Sequence, residues 1–154
     1  MIIRINNIDF NGSLVNGPGV RAVIFLQGCN IHCEGCHNQS TWDINCGVKY
    51  DLEELTKELI YKVKNKKVTI SGGEPFFQAE ATFYLVRKLF EAGFNICLYT
   101  GSEFEEVRRD FPEILLYLHY IKTGRYKKEL KCTIVPYIGS TNQKFITLKN
   151  GDII

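Results

Sequence analysis

The sequence predicts an α/β protein, an open or partial (βα) barrel with about four to six βα units around a parallel sheet. Three observations carry that expectation. Short strand-like runs alternate with amphipathic helical stretches along most of the chain. Three of those runs end at Gln27-Gly28, Ser71-Gly72 and Thr100-Gly101, so three loops leave the carboxyl edge, where parallel sheets place their chemistry. The length of 154 residues falls well short of the ~250 that a closed eight-unit barrel takes, so the sheet stays open.

The elements follow in order. Arg21 to Leu26 is a nearly continuous apolar run rich in strand formers, as a buried parallel strand requires. Asp51 opens a helix, with Glu54 completing a capping-box-like pair and Leu52, Leu55, Leu59, Ile60 and Val63 forming one apolar stripe. Lys67 to Ser71 reads as a strand ending at Gly72-Gly73. Gln78 to Ala92 reads as a helix that Gly93 closes in a left-handed cap. Phe94 to Tyr99 is the next strand, Ser102 and Glu105 cap a short helix, and Ile114 to Ile121 is a strand or strand-like segment. Lys144 to Leu148 is the expected last strand. No repeat, low-complexity tract or linker interrupts the chain, so residues 1–154 read as a single domain.

Composition narrows the function. Hydrophobic content of 45% and charged content of 23% are those of a globular protein. A net charge of +2 gives no electrostatic case for nucleic acid. No apolar run approaches the ~18 residues of a membrane span, and the amino-terminal residues lack a signal-peptide pattern. The expected location is the cytoplasm, with neither membrane nor nucleic acid as partner.

In that reducing compartment the distribution of the six cysteines matters more than their number. Cys46, Cys97 and Cys132 are scattered, whereas Cys29, Cys33 and Cys36 form C-x3-C-x2-C directly after a buried strand. Thiolates suit iron–sulfur clusters or zinc. A four-iron cubane normally takes four thiolates, so three local ones leave one iron open, much as a catalytic zinc keeps one position for substrate. The alternatives are a non-catalytic structural zinc module, with His32, His37 or Cys46 as fourth ligand, and a chance cluster. A second pair of ligands at the usual zinc spacing is missing.

A second motif lies at the same edge. Ser71-Gly72-Gly73-Glu74-Pro75 ends the second parallel strand. Paired glycines let a ligand lie against the backbone, and Glu74 can accept from an ammonium. An ordinary strand-to-helix turn, with Pro75 starting the helix, is the plainer reading of this motif alone.

Together the two motifs resemble the radical S-adenosylmethionine (SAM) superfamily. That resemblance implies a [4Fe–4S] cluster on Cys29, Cys33 and Cys36, and a GGE-type turn holding the methionine end of SAM. More narrowly, Cys36-His37-Asn38-Gln39-Ser40-Thr41-Trp42-Asp43 resembles the activating enzymes of glycyl-radical proteins. Gly35, Ser71 to Pro75 and Gly139-Ser140-Thr141-Asn142-Gln143 are similar to the anaerobic ribonucleoside-triphosphate reductase-activating family, from about Asn11 to Leu148. The implied activity is reductive cleavage of SAM and formation of a glycyl radical on that reductase, with flavodoxin or ferredoxin as electron donor. Another glycyl-radical enzyme such as pyruvate formate-lyase is the alternative target. Two departures stand out: Gly35 replaces a common aromatic, and Tyr120 to Tyr126 lacks an acidic residue before its glycine.

The resemblance assigns SAM contacts to Gly35, Cys36 and His37 on the adenine side and to Gly72, Gly73 and Glu74 at the methionine ammonium, while His37 and Asn38 equally suit hydrogen bonds that only close the loop. A side chain at Gly73 is expected to obstruct SAM while leaving the cluster. Thr100 and Gly101 either reach the ribose or form a plain turn. His32 reads as a solvated loop residue, Trp42 as a loop anchor on the core, and Cys97 as core. Pro18 to Arg21 either shapes the entrance for the partner's glycine loop or leaves Arg21 as a solvated strand-edge charge. Gly139 to Gln143 reads as a cap on the cofactor site rather than a docking surface.

Overall fold

The computed structural model describes residues 1–154. The chain begins with strand β1 (Ile2–Ser13), followed by β2 (Arg21–Leu26) and, after the cysteine loop, by β3 (Val48–Asp51). Helix α1 (Leu52–Lys62) leads to β4 (Lys67–Gly72), then α2 (Ala79–Glu91), β5 (Asn95–Tyr99), α3 (Phe104–Asp110) and β6 (Tyr120–Thr123). The chain ends in β7 (Lys144–Lys149) and β8 (Asp152–Ile153).

All eight strands form one mixed sheet in the order β3-β1-β2-β4-β5-β6-β7-β8. The central strands β2, β4, β5 and β6 are parallel. Antiparallel strands flank them, β1 and β3 on one side and β7 and β8 on the other. The sheet is α/β and open, but only three strand–helix units occur, β3–α1, β4–α2 and β5–α3, fewer than the four to six expected. The difference lies in the flanks. β1 carries Asn6, Asn7, Asp9 and Asn11, so no apolar run marks it, and its pairing with β2 and β3 supplies what its composition hides.

The helices begin and end for local reasons. The Asp51 carboxylate accepts from the Glu54 amide and caps α1. Leu52, Leu55 and Leu59 are fully buried, whereas Ile60 is 39% exposed and lies off the stripe. Gly93 follows α2 with a positive φ, as a left-handed cap requires. The cap of α3 sits one residue later than expected: Glu103 and Glu106, not Ser102 and Glu105, form the reciprocal box. Pro112–Tyr117 is a 3₁₀ segment rather than strand, because Pro112 presets the turn, and the strand starts only at Tyr120.

Alternation along the central strands separates two faces. Ala22, Ile24, Leu26, Val68, Ile70, Ile96, Leu98 and Ile121 join the apolar core with α1 and α2. Arg21, Thr69, Cys97, Tyr99, Tyr120 and Lys122 alternate with them on the opposite, far more polar face. Arg21 is not a solvated edge charge. It is 1% exposed and donates to Thr69 Oγ1 and to the carbonyls of Pro18, Val68 and Asn95, so it clamps β2, β4 and β5 together.

Candidate cofactor site

Four parallel strands end at one edge, and the loops leaving them enclose a single cavity. The loop after β2 is closed at its base: Gly28 and Cys29 donate backbone bonds to Thr41 and Trp42. Gln27, fully buried, donates to the carbonyls of Ser40 and Asp43 and accepts from Asn6, fixing both ends of the loop to the sheet. Within it the Cys36 amide donates to the Cys33 carbonyl, and the Asn38 amide reaches Cys36 Sγ at 3.4 Å. Cys29, Cys33 and Cys36 are free, half-buried thiols, and all three line the cavity. Burial is the main force pushing the Cys33 thiol up, and its two neighbouring cysteines add to it.

The Ser71–Glu74 turn is the facing wall. Gly72 has a φ of +106°, and a Cβ there would lie 2.5 Å from the Leu26 carbonyl oxygen. A Cβ on Gly73 would collide with the Gly28 carbonyl and sit 3.2 Å from Cys29 Cβ. Gly73 is therefore packed against the cysteine loop itself, and a side chain there disturbs the thiols as well as the cavity. The amides of Gly73 and Glu74 continue the contact, donating to the carbonyls of Leu26 and Gly28.

Glu74 is buried and spans two strand ends. Its Oε1 accepts from the Thr100 hydroxyl and the Gly101 amide, at 2.8 and 2.7 Å, and its Oε2 accepts from the Phe76 amide at 2.8 Å. Burial raises its carboxyl above the ordinary range, against the lowering effect of those donors. Thr100 and Gly101 line the cavity while holding this carboxylate.

His37 lies on the wall, exposed, with its ring 5.7 Å from that of Tyr126. Gly35 is not on the wall. Its φ is +76°, and a Cβ there would meet the side chains of Lys128 and Tyr126 at 3.3 and 3.4 Å. His32 is exposed and stacks on Trp42, with centroids 4.3 Å apart. Trp42 also lines the cavity, a nearer position than an anchor on the core. Cys97 is fully buried, and burial pushes its thiol up to about 12. Cys46 is exposed beside Asp43, away from the cavity. No three His, Cys, Asp or Glu side chains are placed to hold a single metal ion.

Sequence reasoning missed Lys122, Tyr99 and Tyr126. Lys122 and Tyr99 are register partners on β6 and β5, and Lys122 Nζ lies over the Tyr99 ring at 4.1 Å. Both line the cavity, Lys122 has no carboxylate partner, and burial brings its ammonium down to about 8. The Tyr99 hydroxyl is buried without a hydrogen-bond partner. The signal was the alternation Tyr120-x-Lys122 at a strand end. Gly139 to Gln143 forms a clasp: Gln143 accepts from the Gly139 and Ser140 amides and donates to the Gly124 carbonyl. Gly139 and Gln143 line the cavity, as a cap would.

Three soft, unpaired thiols on the wall of one shared cavity suit a cluster bound by three cysteines with one metal left open. Comparison with known proteins agrees. Residues 15–146, from the loop before β2 into β7, match the family described as a 4Fe-4S single cluster domain. The anaerobic ribonucleoside-triphosphate reductase-activating protein of Enterobacteria phage T4 is 34% identical, over 96% of this chain and 94% of that protein. The protein of that name from Vibrio cholerae is 31% identical over 84% of this chain and 89% of its own length. The pyruvate formate-lyase-activating enzyme of Clostridium pasteurianum is 33% identical over 80% of this chain, but the match spans only 56% of that enzyme. The chain thus belongs to the 4Fe–4S single-cluster family of radical SAM activases, with the anaerobic ribonucleoside-triphosphate reductase-activating proteins.

Proposed function

We propose that the chain cleaves SAM reductively with a [4Fe–4S] cluster held by Cys29, Cys33 and Cys36, and thereby generates a glycyl radical on an anaerobic ribonucleoside-triphosphate reductase. The observation that carries this is the shared wall: three free thiols and the Ser71–Glu74 turn face one cavity. The bound cluster supplies the electron that breaks a carbon–sulfur bond of SAM; binding, orientation and exclusion of water fall to the protein.

In this reading Gly72 and Gly73 present backbone to the methionine end, and Glu74 meets its ammonium with acceptor capacity left beyond its three donors. Lys122, set on the Tyr99 ring without an acidic partner, suits the methionine carboxylate. Cys36 and His37 flank the nucleoside, and Gly35 supplies the turn between Cys33 and Cys36. The 154 residues act as one radical SAM domain, an open partial barrel whose missing wall the reductase provides. The setting is the cytoplasm, with flavodoxin or ferredoxin as donor and neither membrane nor nucleic acid as partner. No helix is long and apolar enough to cross a membrane.

Incubating cluster-loaded protein with SAM, a strong reductant and the reductase should give a glycyl radical signal by electron paramagnetic resonance. The relatives named for pyruvate formate-lyase favour a second target, so the same assay should include that enzyme. A radical only on pyruvate formate-lyase keeps the chemistry and removes the reductase. A colourless protein carrying zinc removes both.

A further inference from the structure

We propose that the Arg125–Lys131 segment is the landing surface for an acidic one-electron donor protein that reduces the cluster. The inference rests on the cluster reading above.

Arg125, Lys127, Lys128 and Lys131 are all exposed, and the segment carries one carboxylate, Glu129. None of the four cations is in an ion pair. On the helices Lys62, Lys88 and Arg108 each pair with a glutamate one turn away, whereas Lys57 and Arg87 stand singly, so what sets this segment apart is four cations within seven residues. The segment also lies against the cysteine loop. The Lys128 stem comes within 3.3 Å of where a Gly35 Cβ would sit, between Cys33 and Cys36.

The backbone beneath these charges is fixed. The Lys127 amide donates to Ser140 Oγ at 3.1 Å, Asn142 donates to the Arg125 carbonyl at 2.8 Å, and Lys131 bridges to Ser140. Leu130, 39% exposed, adds an apolar side chain to the segment. SAM must occupy the cavity, so a protein donor has to approach over the outer side of the cysteine loop, where this segment lies. A field of uncompensated positive charge there steers an acidic partner and repels a basic one. The transfer balances simply: an anionic flavin hydroquinone loses one electron to become the neutral semiquinone, and the oxidised cluster gains that electron.

The test uses cluster-loaded protein and an acidic, photoreduced flavodoxin. In the K127E/K128E/K131E variant, iron content, reduction by dithionite and SAM binding should match the unaltered protein. Its rate of reduction by flavodoxin should fall about tenfold or more at low salt, and the two rates should converge near ~1 M salt. Fluorescence anisotropy should show a parallel loss of affinity for oxidised flavodoxin. Should the triple variant fold poorly, K128E alone should show the same trend, and the unaltered protein should lose rate as salt rises. Equal rates and affinities in variant and unaltered protein would overturn the proposal. So would loss of reductase binding with flavodoxin reduction intact, which assigns the surface to the protein substrate. Failure to form any cluster would instead remove the functional reading itself.

Discussion

The Thr100 hydroxyl donates to Glu74 Oε1 at 2.8 Å and so joins the exit of β5 to the exit of β4 through a carboxylate only 4% exposed. Because Oε2 is occupied by the Phe76 amide, an amide in place of the carboxylate turns an NH₂ group toward a donor whichever way it faces. Leaving a buried donor unsatisfied typically costs about 1–3 kcal/mol. Glu74→Gln should therefore lower the thermal midpoint of the protein without SAM, as well as weaken SAM binding. An unchanged melting curve would show that the carboxylate serves the ligand alone.

Replacing any one of Cys29, Cys33 or Cys36 by alanine should remove the stable cluster, read as iron and sulfide content after reconstitution. Cys132→Ala should retain it. Cys97 should resist alkylation in the folded protein well above neutral pH, because burial holds its thiol protonated up to about 12. Exposed Cys46 should be labelled readily. Mass spectrometry after timed labelling distinguishes these thiols.

Gly73→Val should lose both SAM binding and the cluster, because its Cβ meets the Gly28 carbonyl and Cys29. A variant that keeps full iron content while failing to bind SAM would restore the simpler idea of a side chain blocking the ligand.

Lys122 should give SAM binding a pH dependence. Its ammonium is complete below about 8 and is lost above it, since burial lowers it from 10.5. Affinity should therefore fall as pH rises past about 8, and Lys122→Met should bind more weakly at pH 7 without that part of the profile. The same lowered value makes the folded state gain stability between about 8 and 10.5, where the unfolded chain still holds the proton. Calorimetric titration at several pH values separates this contribution from the ionisation of SAM itself.

Gln143→Ala should loosen the clasp, since one buried side chain serves the Gly139 and Ser140 amides and the Gly124 carbonyl. Hydrogen exchange should rise across residues 124–143 with little change in β2 or β4.

Three of the four parallel strands, β2, β4 and β5, were legible because each is a compact run of strand formers that ends in a glycine or threonine turn, whereas β6, Tyr120-Ile121-Lys122-Thr123, carries one aliphatic residue and was placed too early in the chain. Val68 and Ile70, and likewise Ile96 and Leu98, announce burial without help from tertiary context. β1 was not legible: its asparagines and aspartate hide a strand that exists only because β2 and β3 pair with it. In the site, the thiols follow from local spacing, whereas Lys122 needs the register of β6 on β5 before its neighbour Tyr99 is known. Gln27 is similar, since its partners Asn6, Ser40 and Asp43 are distant in sequence. Glu74 was found for its charge, but its three donors come from a fold-wide arrangement that no short motif encodes.

The open sheet has one further consequence, for behaviour in concentrated solution. Unlike a closed barrel, it leaves two free borders whose peptide groups invite another chain to add on. One border is the four-residue β3, where Lys49 and Asp51 place opposite charges; the other is the two-residue β8, which begins with Asp152. Short, charged border strands give an incoming β-strand little length to pair with and make its desolvation unfavourable. The protein can thus keep a broad polar face uncovered for its ligands without becoming a template for fibrous self-association.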